Sequence, residues 1–232
     1  MKKYLNKLYA KAVELNHKNI ISLLEKNNTA NFLDLGCDDG VLTMEMAAKI
    51  NTKNIWGVEI VDERTKIAET KGITVKKFDL NEKFDFENNF FDIVHANQVI
   101  EHLYNSDNFI SEIYRILKPG GYAVISTENA SSWCNIFASV MGWQIFSLTN
   151  FSSKKQGIGN PLALHRNEEK KLATWKHIRI YNIKGLKEYF EVFGFNISKI
   201  KGAGYFPLPA IIGNFDKTHC HFMTFKIRKT LH

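Results

Sequence analysis

The chain has 232 residues, 44% of them apolar, 24% charged and 12% aromatic, which suits a globular chain able to bury a full core. Its three cysteines, Cys37, Cys134 and Cys220, are odd in number and far apart, which excludes a disulfide framework. The net charge is +7, and residues 1–128 are slightly acidic, so the positive excess lies wholly in residues 129–232. A basic second half suits an anionic substrate, nucleic acid or a membrane surface, and equally a lysine-rich proteome.

The N-terminus is basic and shows no apolar signal-peptide core, so a cytoplasmic protein is expected. Leu5, Leu8, Tyr9, Val13, Ile20, Ile21, Leu23 and Leu24 fall at helical spacing, which predicts one or two helices before residue 30. Phe32 to Leu35 then reads as a short buried strand. A turn carrying Gly36 and Gly40 follows, and Val41 opens a helix. Strand, glycine-bearing turn and helix make a site for a nucleotide-like ligand, because backbone N–H groups at the helix start can approach it. The spacing D-x-G-x-x-x-G matches neither the dinucleotide fingerprint nor a phosphate loop.

Asn54 to Ile60 predicts a second strand, and Asp62 caps a helix that Gly72 ends. Ile73 to Asp79 alternates as a third strand, and Phe90 to Asn97 forms a fourth. Asn105, Ser106 or Asp107 caps a helix carrying Phe109, Ile110, Ile113, Ile116 and Leu117, which Pro119-Gly120-Gly121 breaks. Tyr122 to Thr127 is the fifth strand. Strands alternating with helices imply a parallel sheet wound on both faces, with the ligand at the carboxyl ends of the strands. Acids sit at three of those ends: Asp34, Glu59 and Asp79. Glu59 falls where a ribose-binding acid belongs in a βαβ unit.

The ordered segments FLDLGCDDG, IWGVEI, KKFDL, FDIVHANQVIEHL and RILKPGGYAVIST resemble the class I S-adenosylmethionine-dependent methyltransferases. The resemblance is closest to a small-molecule group carrying E-H-L after the fourth strand and L-K-P-G-G before the fifth. It implies a doubly wound, Rossmann-like, mostly parallel α/β sheet of seven strands. The last strand is antiparallel, and a cap is inserted after the fifth. A single domain is expected: N-terminal helices in 1–30, a cofactor-binding core in 31–128, a cap or lid in 129–182, and a last helix with two strands in 183–232. The implied cofactor is S-adenosyl-L-methionine. Asp34, Gly36 and Gly40 would shape the turn around its methionine part. Glu59 would hold the ribose, Phe78, Asp79 and Leu80 would flank the adenine, and Asn97 and Gln98 would line the pocket by the sulfonium. Cys37, Asp38 and Ile60 complete the expected cofactor contacts. Asp38 departs from the glycine usual at mid-turn, and its side chain either narrows the site or bonds the cofactor's amino group.

Residues 129–153 carry no charge, and Trp133, Phe137, Val140, Met141 and Gln144 fall at helical spacing. They read as a core-packing helix, a lid over the acceptor or a weak membrane-surface contact, and are too polar to span a bilayer. Residues 154–176 read as a mobile loop. Asn182 caps a helix through Phe193, and Phe195–Ile200 and Cys220–Ile227 supply the last strands. The Gly202–Pro209 loop between them could border the acceptor site.

Methyl transfer to a hydroxyl benefits from a general base, for which His102 and His177 are the candidates. Metal binding is not expected, since His219 and His221 on a strand would face away from Cys220 and no matching ligand set is evident. The expected acceptor is a small molecule or a cell-surface glycan, methylated at oxygen. DNA is not expected as a partner. The rival readings are an RNA methyltransferase, motivated by the basic second half, and a non-catalytic cofactor-binding regulator, motivated by Asp38.

Overall fold

A computed structural model describes residues 2–152, 154–166 and 176–230. One unbroken helix, α1 (Lys2–Leu23), precedes the first strand. The chain then alternates through β1 (Asn31–Leu35), α2 (Val41–Ile50), β2 (Asn54–Val58), α3 (Asp62–Thr70), β3 (Thr74–Lys76), β4 (Phe91–Asn97), α4 (Ser106–Ile116) and β5 (Leu117–Glu128). Beyond β5 come α5 (Trp133–Val140), α6 (Ile183–Val192), β6 (Phe195–Ala203) and β7 (Phe222–Lys229). The seven strands form one sheet in the order β3-β2-β1-β4-β5-β7-β6. Neighbours from β3 through β5 pair in parallel, and β7 inserts antiparallel to both β5 and β6. This is the doubly wound architecture expected, with the antiparallel strand last.

Period-two alternation divides the strands between two cores. Leu33, Leu35, Val94, Ala96, Ala123 and Ile125 point to one face, under Phe109 and Ile113 of α4 and Leu186 and Phe190 of α6. Phe32, Ile93 and Val124 point to the other, under Met46 and Ile50 of α2 and Ile20 and Leu23 of α1. Because both faces are covered, the central strands are buried nearly throughout. Asn105 caps α4 by accepting from Asn108 N, and Asn182 caps α6 by accepting from Gly185 N at 2.8 Å.

Several boundaries differ from the sequence reading. The second strand stops at Val58 and the third at Lys76, so Glu59, Ile60, Phe78 and Asp79 lie in the loops beyond. Val61, not Asp62, precedes α3, and the Asp62 carboxylate pairs with Lys77 instead. The fifth strand starts at Leu117 and runs through Pro119-Gly120-Gly121, because a register shift between Phe91 and Ile93 absorbs the proline. α5 does not pack its apolar stripe into the core: Trp133, Phe137, Val140 and Met141 are all exposed. His219, Cys220 and His221 precede β7 rather than alternating within it. The expected 154–176 loop falls partly outside the described residues, at 167–175. Among the described residues no helix is long and apolar enough to cross a membrane.

Candidate active site

The sheet order reverses direction between β1 and β4, and the crevice beyond their carboxyl ends is where such sheets take ligands. The turn after β1 is tied down there, with Gly36 N and Cys37 N both donating to Val58 O at 2.8 and 3.0 Å. Beneath it the buried Asp34 carboxylate accepts from Thr43 Oγ1 at 2.5 Å and meets His95 Nδ1 at 2.7 Å. Asp34 therefore braces the turn from below. Gly40 is the residue before α2 and sits at φ 79°, with no side-chain cap over the helix start. A Cβ there would lie 2.5 Å from Ile73 Cδ1 and 3.3 Å from Ala68, so glycine alone lets α2 begin this close to α3.

Glu59, just past β2, accepts from Asp38 N at 3.1 Å and from Val61 N at 2.8 Å. Both carboxylate oxygens are thus fixed, and each keeps a second lone pair for a ribose hydroxyl. Asp38 itself adopts φ 48° and turns its side chain to Arg64 Nε at 3.2 Å. Cys37 is buried, and burial, with Asp34 and Glu59 next, pushes its thiol pKa up. Ile60 is exposed beside Glu59. Asp79 Oδ1 accepts from Asn81 N and Nδ2, while Leu80 is buried and Phe78 packs on Phe84 and Phe86. Asn97 Oδ1 accepts from Asn16 Nδ2 of α1. Gln98 follows at φ 55°, and its buried Nε2 has no partner among the described residues. These groups fit S-adenosyl-L-methionine. A carboxylate fixed just past β2 has lone pairs to offer a ribose diol, and an unpartnered amide donor stands at the end of β4.

Beyond β4 the fold gathers groups that the sequence reading treated separately. His102 and His177 meet edge to face with ring centroids 4.7 Å apart. His102 Nδ1 lies 2.9 Å from Lys176 O, and His177 Nδ1 lies 2.6 Å from Ser147 O. A carbonyl only accepts, so each neutral ring carries its proton on Nδ1 and its lone pair on Nε2. Glu101 is fully buried; Oε2 accepts from Thr127 Oγ1 at 2.9 Å, and Oε1 has no partner among the described residues. Burial pushes the Glu101 pKa up to about 7, with His177 pulling against it. One donor atom each from Glu101, His102 and His177 lie within 4.8 Å of one another. That is a ligand-type cluster the sequence reading did not expect.

Glu128, at the end of β5, extends the cluster further into the protein. It is buried 4.0 Å from His221 Nε2, and both Glu128 Oε2 and His221 Nε2 are unpartnered among the described residues. Burial alone would raise the Glu128 pKa, but His221 and then His177 outweigh it and lower it. Burial first, with Glu128 opposing, lowers the His221 pKa. Tyr9 of α1 stands edge to face on His221, and its phenol pKa is raised by burial, then by Glu128 and Glu101. Phe206 closes the other side of the ring at 5.0 Å.

Residues 1–200 match the methyltransferase domain family Methyltransf_23. The chain belongs to this family of methyltransferases. It is a class I S-adenosylmethionine-dependent enzyme, and S-adenosyl-L-methionine is its cofactor. The methyltransferase is 28% identical over 177 residues to the ubiquinone biosynthesis O-methyltransferase of Rickettsia canadensis, covering 73% of this chain and 69% of that one. It is 33% identical over 122 residues to the mitochondrial ubiquinone biosynthesis O-methyltransferase of Rattus norvegicus, covering 49% of this chain and about a third (35%) of the rat protein. Among solved structures, a Bacillus halodurans methyltransferase superposes with TM-score 0.64 at 14% identity, covering 92% of this chain and 98% of that one. The S-adenosylmethionine-dependent methyltransferase of Mesorhizobium loti gives TM-score 0.61 at 16% identity, covering 91% and 96%. At such identities the structural likeness speaks to the fold.

Glu101, Glu128, His221 and Tyr9 are the members of this polar cluster that sequence reasoning missed. Glu101 stood inside the E-H-L segment, and Glu128 ends a strand just as Glu59 nearly does, so a signal was present for both. Tyr9 and His221 come from opposite ends of the chain, and only the fold brings them together.

Proposed function

We propose that the methyltransferase transfers a methyl group to a hydroxyl oxygen of a small-molecule acceptor held beside the polar cluster beyond β4 and β5. The observation that carries this reading is the Glu101–His102–His177 cluster, with Glu101 buried and the two imidazoles half-buried, whose donor atoms lie within 4.8 Å of one another. The bound cofactor supplies an electrophilic methyl on a sulfonium, and the protein supplies alignment, dryness and a destination for the hydroxyl proton. His177 Nε2 takes that proton, and the Ser147 carbonyl on Nδ1 holds the ring in the required tautomer. His102 packs against the ring to fix its orientation, and Glu101 balances the imidazolium charge that forms. Asp34 and Glu59 hold the turn and the ribose end. Asn97 and Gln98 line the sulfonium side, and the loop of Phe78, Asp79 and Leu80 bounds the adenine. The O-methyltransferase names of the sequence relatives support oxygen as the methyl acceptor. They offer nothing for a glycan.

The test is formation of the demethylated cofactor when hydroxylated small molecules are offered as methyl acceptors, set beside structured RNA fragments. His177→Ala is expected to lower kcat by about 10²-fold with cofactor affinity nearly unchanged, and His102→Ala by a smaller factor. Methyl transfer to RNA, with none to any hydroxylated small molecule, would overturn the reading. An equal loss of cofactor affinity in His177→Ala would move that residue out of the base role.

A further inference from the structure

The outer sides of the two elements that pack on His221 differ sharply from their inner sides. α1 sends Tyr9 inward to His221, and its outer stripe shows Tyr4, Lys7, Lys11 and Lys18 at helical spacing, all exposed. The Gly204–Asp216 segment sends Phe206 inward to the same imidazole. Its outer side exposes Leu208, Ile211 and Phe215, the last with 84% of its surface in water. The two elements are joined. Tyr4 OH donates to Pro207 O, and Lys11, Leu15 and Lys18 share one cleft with Pro209 and Ile211. α5 continues the surface, since Trp133 Nε1 donates to Tyr205 OH at 2.7 Å while Phe137 and Val140 stay exposed on the same helix.

An aromatic ring and branched aliphatic side chains left this open to water are costly unless something covers them. The charges around them say what. Lys3, Lys7, Lys11 and Lys217 are exposed and make no ion pair among the described residues. The nearby acids are already engaged, Glu14 with Lys18 and Asp216 with His219 and Tyr205. Insertable apolar groups ringed by unpaired lysines complement an interface that is apolar inside and negative at its edge.

We propose that this face, built from the outer stripe of α1 and the 204–217 segment, docks on an anionic phospholipid bilayer. Leu208, Ile211 and Phe215 enter the headgroup boundary, and the lysines meet the lipid phosphates. The same elements pack on His221 from their inner sides, so docking brings the polar cluster toward the lipid. This inference does not depend on the acceptor atom, and its test needs neither cofactor nor acceptor.

The experiment is co-sedimentation of the full chain with vesicles of phosphatidylglycerol and phosphatidylcholine, with phosphatidylcholine vesicles alone, and without vesicles. Binding is expected only to the anionic vesicles, and molar salt should weaken it. Ile211→Ser with Phe215→Ser should lower the partition coefficient about tenfold or more. Lys7→Glu, Lys11→Glu and Lys217→Glu together should do the same. Circular dichroism and cofactor affinity should be unchanged in both variants. Sedimentation no greater than in the vesicle-free control would overturn the proposal, as would equal binding by wild type and the Ile211/Phe215 variant. A wild-type dimer that either variant turns into a monomer would also overturn it, making the face a self-association surface.

Discussion

Glu101 carries the clearest pH signature in the molecule. Its pKa is raised from the ordinary 4.5 to about 7, first because burial disfavours the charged form. Below pH about 4.5 the carboxyl is protonated whether the chain is folded or unfolded, and above about 7 it is ionised in both. Between those limits only the folded chain holds the proton, so this group's contribution favours folding at the acid end and is lost as pH rises toward 7. Glu128 has the opposite sign: its folded pKa is lowered, and its contribution is lost as pH falls. Glu101→Gln removes the first trend and leaves the second. The expected result is that the variant gains stability relative to wild type as pH rises from about 5 to 7.5, by an amount of a few kcal/mol at most, read as Tm across that range. Turnover should move the other way. In wild type it rises through pH about 7 as Glu101 ionises and supports His177, and in Glu101→Gln it is lower and flatter. A variant whose Tm keeps the wild-type pH dependence would mean that Glu101 is already ionised near pH 5. The position of this residue inside E-H-L was legible in the sequence, but its burial was not, because burial depends on Thr127 of the neighbouring strand.

At the scale of elements, the β1 turn and α2 test how far the cofactor site is a matter of backbone. Gly40→Ala would force φ 79° on an alanine and press its Cβ against Ile73 and Ala68. Gly72→Ala would force φ 84° with nothing within 4 Å. Both variants carry the left-handed cost of about 1–2 kcal/mol, so the excess in Gly40→Ala isolates the packing term. Urea denaturation should show Gly40→Ala losing more stability than Gly72→Ala, and only Gly40→Ala should weaken cofactor binding. Equal losses would show that α2 and α3 can separate to admit the methyl group. The β1 strand, the turn and α2 were readable because glycine spacing and apolar runs are local signals, and so was the Asn182 cap, while Asn105 was one of three candidates for the cap of α4. The end of β3 and the start of β5 were not readable. The alternation of Ile73 to Asp79 runs past the three residues that pair, and Pro119-Gly120-Gly121 reads as a break unless the bulge that holds it within β5 is known. The apolar stripe of α5 was seen, but periodicity does not say what a stripe faces.

Across the whole molecule, the site draws on segments that share no local structure: Tyr9 near the start, the turns after β1, β2 and β4, the end of β5, His177 and His221. A ligand bound at such a junction stabilises the native state as a unit, because the unfolded chain has nothing comparable to offer. With S-adenosyl-L-methionine at a hundred times its Kd the linkage is worth about 2.7 kcal/mol, and a chain of this size gains about 2–4 °C per kcal/mol. A rise in Tm of about 5–10 °C is therefore expected, with a comparable rise for the demethylated product. Glu59→Ala removes the carboxylate fixed by Asp38 N and Val61 N, and a tenfold loss of affinity would take about 1.4 kcal/mol from that shift. His177→Ala should keep the full shift if, as proposed, the imidazole serves the acceptor and not the cofactor. Differential scanning fluorimetry on the three proteins separates the two halves of the site. A full shift in Glu59→Ala would take the ribose away from Glu59, and a lost shift in His177→Ala would move His177 from the acceptor side to the cofactor.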